Sequence, residues 1–188
     1  MSDLKTMCDA CEYIGKKLPK YPIIFEIGCT YVVNQDNLIN TSTNNIIQQI
    51  VIPKNGMLYS FDINSDHINI CKRMLRDIGI NWSEYMDFVF GDSIEMIPIV
   101  VEDLERQDHY IDVVLFDSKE HDEDHMVKEF EGLKDQLSEK HILMVDDVIN
   151  PNSIKAKKMM PLLQKLGYEM FIVPTETGLL IASMGYKL

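Results

Sequence analysis

The residues able to do chemistry in this chain recur at one kind of place. Short apolar runs at residues 23–27, 57–62, 87–90, 111–116 and 142–145 each contain or precede an acidic group. Glu26 and Gly28 close the first and Asp62 ends the second. Asp92 and Ser93 follow the third, Asp117 and Ser118 the fourth, and Asp146 with Asp147 the fifth. Carboxylates so placed can accept hydrogen bonds from hydroxyl and amino groups, neutralise a cationic ligand, or hold a divalent ion. Two histidines, His121 and His125, come just after the fourth run, and an imidazole of ordinary pKa ~6.5 can serve as a general base. His67, His109 and His141 have no motif around them and read as solvated or structural. The remaining chemistry-bearing pattern is Cys8-Asp9-Ala10-Cys11. It has no second ligand pair of matching spacing for zinc and reads as two reduced thiols one turn apart on a helix.

The elements that must position these groups follow from the apolar pattern. Near-continuous apolar runs of this length suit strands buried on both faces of a parallel sheet. Helical periodicity lies between them. Ser42 or Thr43 is placed to cap a helix carrying Ile46, Ile47, Ile50 and Val51. Residues 65–78 put Ile68, Cys71, Leu75 and Ile78 on one face. Residues 122–137 do the same with Met126, Phe130, Leu133 and Leu137, opened by Asp122, Glu123 and Asp124, whose charge suits a helix N-terminus. A further helix over 153–166 stops at Gly167. A first helix over 3–17 precedes the strands. The tail reads as strands over 168–173 and 178–183, joined by a connection short enough for an antiparallel hairpin. Strand and helix alternate and then end on a hairpin. The expectation is an α/β fold: one doubly wound, Rossmann-like, mostly parallel sheet with a C-terminal antiparallel hairpin strand. It forms a single domain over 1–188, with 1–20 the N-terminal helix and 21–188 the α/β core.

In such a sheet ligands bind beyond the carboxyl ends of the strands, where the acidic groups stand. The first turn, Glu26-Ile27-Gly28-Cys29-Thr30-Tyr31, lacks the G-x-G-x-x-G pattern that brings a pyrophosphate to a helix N-terminus. A cofactor without phosphates fits better, and S-adenosylmethionine is one. Gly28 would let backbone approach it, Asp62 would accept both ribose hydroxyls, and Asp92 with Ser93 would meet the adenine amino group. Phe25-Glu26-Ile27-Gly28-Cys29, Tyr59-Ser60-Phe61-Asp62, Gly91-Asp92-Ser93 and Val145-Asp146-Asp147 resemble the successive motifs of class I S-adenosylmethionine-dependent methyltransferases. The stretch from Leu115 through Asp117-Ser118-Lys119-Glu120-His121 to His125 is similar to the Asp-Ser-Asp-His region of the cephalosporin hydroxylase and macrocin O-methyltransferase-like group. The first loop departs from the pattern: it lacks the usual second glycine and carries an Asn-rich insertion.

The resemblance implies methyl transfer to a small molecule, more readily at oxygen than at nitrogen. It puts Glu26, Gly28, Asp62, Asp92, Ser93 and Asp117 at the cofactor, and His121 with Asp117 at the reaction. It also implies Mg²⁺ held by Asp117, Asp146 and Asp147, unless these carboxylates cap helices or fix loops. His121 is either the base or a surface histidine in an acidic loop. His125, inside the helix, is expected to be structural. A nucleotide-dependent oxidoreductase on the same fold and a non-catalytic S-adenosylmethionine-binding subunit stay open.

Composition sets the partners. The formal net charge of −12 opposes nucleic acid, because phosphate neutralisation needs lysine and arginine. Lys155, Lys157 and Lys158 are the nearest thing to a basic patch. No apolar run suggests a membrane span or a targeting segment, so no membrane partner is expected and the expected location is the cytoplasm. A homo-oligomer is left open. The loop from Thr30 to Thr41 and the N-terminal helix are the candidates for a lid.

Overall fold

The computed structural model describes residues 4–29, 41–118 and 122–188. A single seven-stranded sheet runs β3-β2-β1-β4-β5-β7-β6. Its strands are β1 (Ile23–Ile27), β2 (Met57–Asp62), β3 (Met86–Phe90), β4 (Ile111–Phe116), β5 (Leu137–Val145), β6 (Glu169–Val173) and β7 (Leu179–Met184). The first five are parallel, whereas β7 pairs antiparallel with both β5 and β6. This is the doubly wound sheet with a terminal hairpin that the alternation predicts. The strand order reverses between β1 and β4, so their carboxyl ends, at Gly28 and Asp117, flank the switch point where such sheets bind ligands.

Two apolar layers cover the sheet. One face packs α1 (Met7–Lys17), the helical run α2 (Ser42–Ile46) through a π-turn Ile47–Val51 to α3 (Ile52–Lys54), and α4 (Ser65–Asp77). The other packs α5 (Ser93–Arg106), α6 (His125–Leu133) and α7 (Met159–Leu166). The period of two along β1 divides its side chains accordingly: Ile24 joins the first layer, while Ile23, Phe25 and Ile27 join the second. In α1 a capping box links Thr6 and Asp9, and Gly15 lets the helix lie against the backbone of Gln49. Cys8 and Cys11 are free thiols; burial pushes that of Cys11 up, which makes it inert. No described helix is long and apolar enough to cross a membrane.

Several boundaries differ from the sequence reading, each for a physical reason. Ser93–Arg106 is a helix although it contains Pro98, a residue that cannot donate to the preceding turn. Asp92 caps it, accepting the Ile94 N–H at 3.0 Å. The helix over 122–137 is shorter, because Leu137 pairs with Ile111 as the first residue of β5. The helix before Gly167 begins only at Met159, after a series of turns. Thr41, not Ser42 or Thr43, caps α2. The hydroxyls of Ser42 and Thr43 are drawn instead to a buried carboxylate, where a charge-assisted hydrogen bond is worth about 1.5–3 kcal/mol.

Candidate functional site

That carboxylate belongs to Glu26. It is fully buried and accepts from Ser42 Oγ at 3.0 Å, Thr43 Oγ1 at 2.8 Å and Ser60 Oγ at 2.7 Å. Burial pushes its pKa up to about 7 even though the three hydroxyls pull the other way. Glu26 is not among the residues that line the cavity at the strand ends; it anchors the start of α2 to the centre of the sheet.

The cavity itself, about 570 Å³, opens at the carboxyl ends of β1 to β4. Gly28, Asp62, Asp92, Ser93 and Asp117 all line it, together with Cys29, Ile63, His67, Ser118 and His125. Gly28 has φ +96°, and a Cβ there would collide with the carbonyl oxygen of Asp117. The glycine is therefore required first by the close approach of the chain after β1 to that after β4, and only then by whatever fills the cavity.

On the β1–β3 side the carboxylates are held by amides. Asp62 Oδ1 accepts the Asn64 N–H at 2.7 Å, and Oδ2 takes the Cys29 N–H and Sγ, each at 3.3 Å. His67 Nδ1 stands 3.4 Å from the same oxygen, so this histidine, which no motif singles out, belongs to the cavity wall. The Cys29 thiol is held protonated: its contact with Cys71, its burial and the charge of Asp62 all push its pKa up.

A second wall is built around Glu129, a residue that sequence reasoning missed. It is fully buried and gathers Ser93 Oγ at 2.5 Å, Ser118 Oγ at 2.8 Å and His125 Nε2 at 3.0 Å. Ser93 therefore turns its hydroxyl into the wall. His125 lies along α6 as expected, paired with Glu129 one turn on, and from there it also borders the cavity. Asp122 holds the start of that helix, accepting the N–H groups of Asp124 and His125 at 3.0 and 3.2 Å. The available signal was Glu129 itself, an acid on the apolar face set by Met126, Phe130 and Leu133, one turn after a histidine.

His141 is structural as expected, buried between the Ser138 carbonyl and the Tyr168 hydroxyl, each 2.7 Å away. His109 is exposed and does not line the cavity. His121 and residues 30–40 of the candidate lid loop lie outside the described residues. The other lid candidate, α1, packs into the core and does not line the cavity.

Beyond β4 and β5 the acids are held differently. Lys155, 1% exposed, donates to Asp117 Oδ1 at 2.7 Å and lies 3.1 Å from Asp147 Oδ2. Burial alone would lower the Lys155 pKa, but Asp117 and Asp147 more than reverse this and hold it protonated. The Asp117 carboxyl is pushed up by burial against the pull of Lys155, and the neighbouring Asp146 and Asp147 add to the rise. Asp146 accepts the Asp147 N–H at 2.9 Å. Of the three carboxylates that the resemblance gives to Mg²⁺, Asp117 and Asp147 meet at an ammonium, and Asp146 stands beside them. Among the described residues no group of three or more His, Cys, Asp or Glu side chains is arranged to hold a metal. The magnesium expectation therefore finds no support among the described residues, where Lys155 pairs with two of the three carboxylates. Lys157 and Lys158 likewise pair with Glu123 and Asp124, so the lysine cluster is no open basic patch.

No family model and no curated protein matches this chain. Solved structures do. A methyltransferase from Geobacter sulfurreducens superposes with a TM-score of 0.66 at 14% identity, over 94% of this chain and 77% of that one. A Podospora anserina methyltransferase with bound S-adenosylhomocysteine gives a TM-score of 0.64 at 13% identity, over 93% and 76%. An O-methyltransferase from Bacillus cereus, solved in complex with S-adenosylhomocysteine, gives 0.61 at 13%, over 95% and 78%. At these identities the likeness is one of architecture, and this chain has the fold of those methyltransferases.

Proposed function

We propose that this chain is a class I S-adenosylmethionine-dependent methyltransferase that modifies an oxygen of a small molecule. The observation that carries the reading is the cavity at the switch point, rimmed by Asp62 and Asp92 on adjacent strand ends and entered by a turn with no phosphate-binding glycine pattern. Its volume of about 570 Å³ lies in the usual range for small-molecule sites, ~300–1,000 Å³. Bound there, the cofactor would supply an electrophilic methyl group on a sulfonium. The chain would supply placement and charge. Asp62, pre-oriented by the amides of Cys29 and Asn64, would accept the ribose hydroxyls. Asp92, fixed as the cap of α5, would face the adenine. The acidic rim favours a cationic ligand, and the alignment it enforces accounts for much of the rate.

The subgroup reading rests on residues 115–125, which resemble the cephalosporin hydroxylase and macrocin O-methyltransferase-like group. The small-molecule reading rests on the net charge of −12 and on the pairing of Lys155, Lys157 and Lys158 with carboxylates, which closes the lysine cluster to a phosphate backbone. We assign the base to His121 on its position between Asp117 and α6. His121→Ala should lower kcat by ~10²–10⁴ without loss of cofactor affinity, whereas His125→Ala should act on stability and on the Glu129 wall. The reading as a whole is tested by calorimetric titration with S-adenosylmethionine, S-adenosylhomocysteine and NAD. Micromolar binding of the first two and none of the third is expected. The reverse pattern would make the chain a nucleotide-binding protein.

A further inference from the structure

Lys155 is the least expected residue of the site. A lysine with 1% of its side chain exposed is rare, and it is tolerated here because two carboxylates, Asp117 and Asp147, receive its protons. Those carboxylates serve different spaces. Asp117 lines the cofactor cavity, while Asp147 lines a neighbouring cleft of about 500 Å³ walled by Ile154, Met160 and Met170. Lys155 joins the two. Asp147 reaches it from a left-handed backbone conformation, φ +61°, which is uncommon for a residue other than glycine and is held here by the contacts around it. Asp146 stands beside the pair, and its carboxyl too is pushed up by burial while Lys155 lowers it.

We propose that Lys155 is a built-in cation, a positioning residue that replaces a divalent ion at the junction of the two clefts. It offsets one of the two charges of Asp117 and Asp147, fixes the pair relative to each other, and makes the acceptor side independent of Mg²⁺. An ammonium has three donors and a single charge, so it can orient carboxylates but polarises a hydroxyl far less than a metal does. On this arrangement an acceptor hydroxyl must lose its proton to a base. The word "acceptor" rests on the methyltransferase reading; the exclusion of a metal by Lys155 does not.

The test is a Mn²⁺ titration of the full chain, followed by the electron paramagnetic resonance signal of the free hexaaqua ion. The wild type should leave the signal unchanged. Lys155→Ala should gain one site at least ten-fold tighter than any wild-type binding, and Lys155→Ala with Asp147→Asn should lose it again. Lys155→Arg, which keeps the charge, should behave as wild type. Lys155→Met preserves most of the buried stem and serves if the alanine variant does not fold; circular dichroism identifies the folded variants. One Mn²⁺ bound by the wild type and removed by Asp117→Asn would overturn the proposal. So would a folded Lys155→Met variant that binds none. Titration of the same samples with S-adenosylmethionine reports separately on the cofactor reading.

Discussion

Asp62 and Asp117 are the same residue at the same kind of place, the carboxyl end of a parallel strand, yet they are held in different ways. Asp62 is gripped by backbone N–H groups that follow its own strand and the neighbouring β1. Asp117 is gripped by the side chain of Lys155, 38 residues further on. Amides carry no net charge, so the Asp62 side of the cavity keeps its negative charge available to a ligand. The Asp117 side is partly offset from within by one ammonium. The rim thus keeps its charge free where a cationic cofactor would lie, and has part of it internally paired beside that place.

The largest effect should come from the amide-held side. Asp62→Ala removes two charge-assisted hydrogen bonds to a ribose, each worth about 1.5–3 kcal/mol, so S-adenosylmethionine affinity should fall by ~10²–10⁴. Thermal stability should barely change, because water at the rim can satisfy the released amides. Unchanged affinity measured by calorimetry in a folded variant would remove Asp62 from the cofactor site. The lysine-held side should respond in the opposite sense. Lys155→Met leaves buried carboxylates without their cation and should cost about 3 kcal/mol of stability, the low end for a broken buried pair, since Asp117 is still 29% exposed. Denaturant unfolding would check this. An unchanged midpoint would mean that the two sides do not differ as described.

The smallest effect concerns Glu26, a third carboxyl held by neither means but by hydroxyls. Its pKa is raised in the folded chain to about 7. The folded state then binds a proton more tightly than the unfolded one, so stability is greatest below the unfolded value of 4.5 and declines as pH rises to about 7. The full decline is at most about 3 kcal/mol. Glu26→Gln should flatten the dependence of Tm on pH in that window. An unchanged slope would mean that Glu26 keeps an ordinary carboxylate pKa among its hydroxyls.

How much could be read from the sequence follows the same division. The strands were legible because β1 and β4 are buried on both faces and must be apolar throughout. Asp62 and Asp92 were legible as members of the cavity wall because their places follow from local chain geometry, one residue at a strand end and one at a helix cap. α5 was not, since Pro98 breaks the donor pattern that marks a helix. Glu129 and Lys155 were not legible either. Each is a charged residue buried by partners distant in sequence, and no local periodicity encodes where Ser93 or Asp117 will be. The partners of Glu26 were hidden for the same reason: two of its three hydroxyls come from α2 and one from β2.

Lys157 and Lys158 bind Glu123 and Asp124 in the open, and this gives the rim a sensitivity that its interior lacks. Their contacts tie the turn before α6 to the approach to α7 at 2.7–3.6 Å, with the lysine side chains 46–71% exposed. Pairs so exposed contribute on the order of 0–1 kcal/mol, and dissolved ions screen them over a Debye length of ~8 Å at physiological ionic strength. Lys155, shielded from solvent, is beyond the reach of that screening. Added salt should therefore loosen this outer clasp while the inner one holds, so that the two can be studied apart by choice of buffer alone.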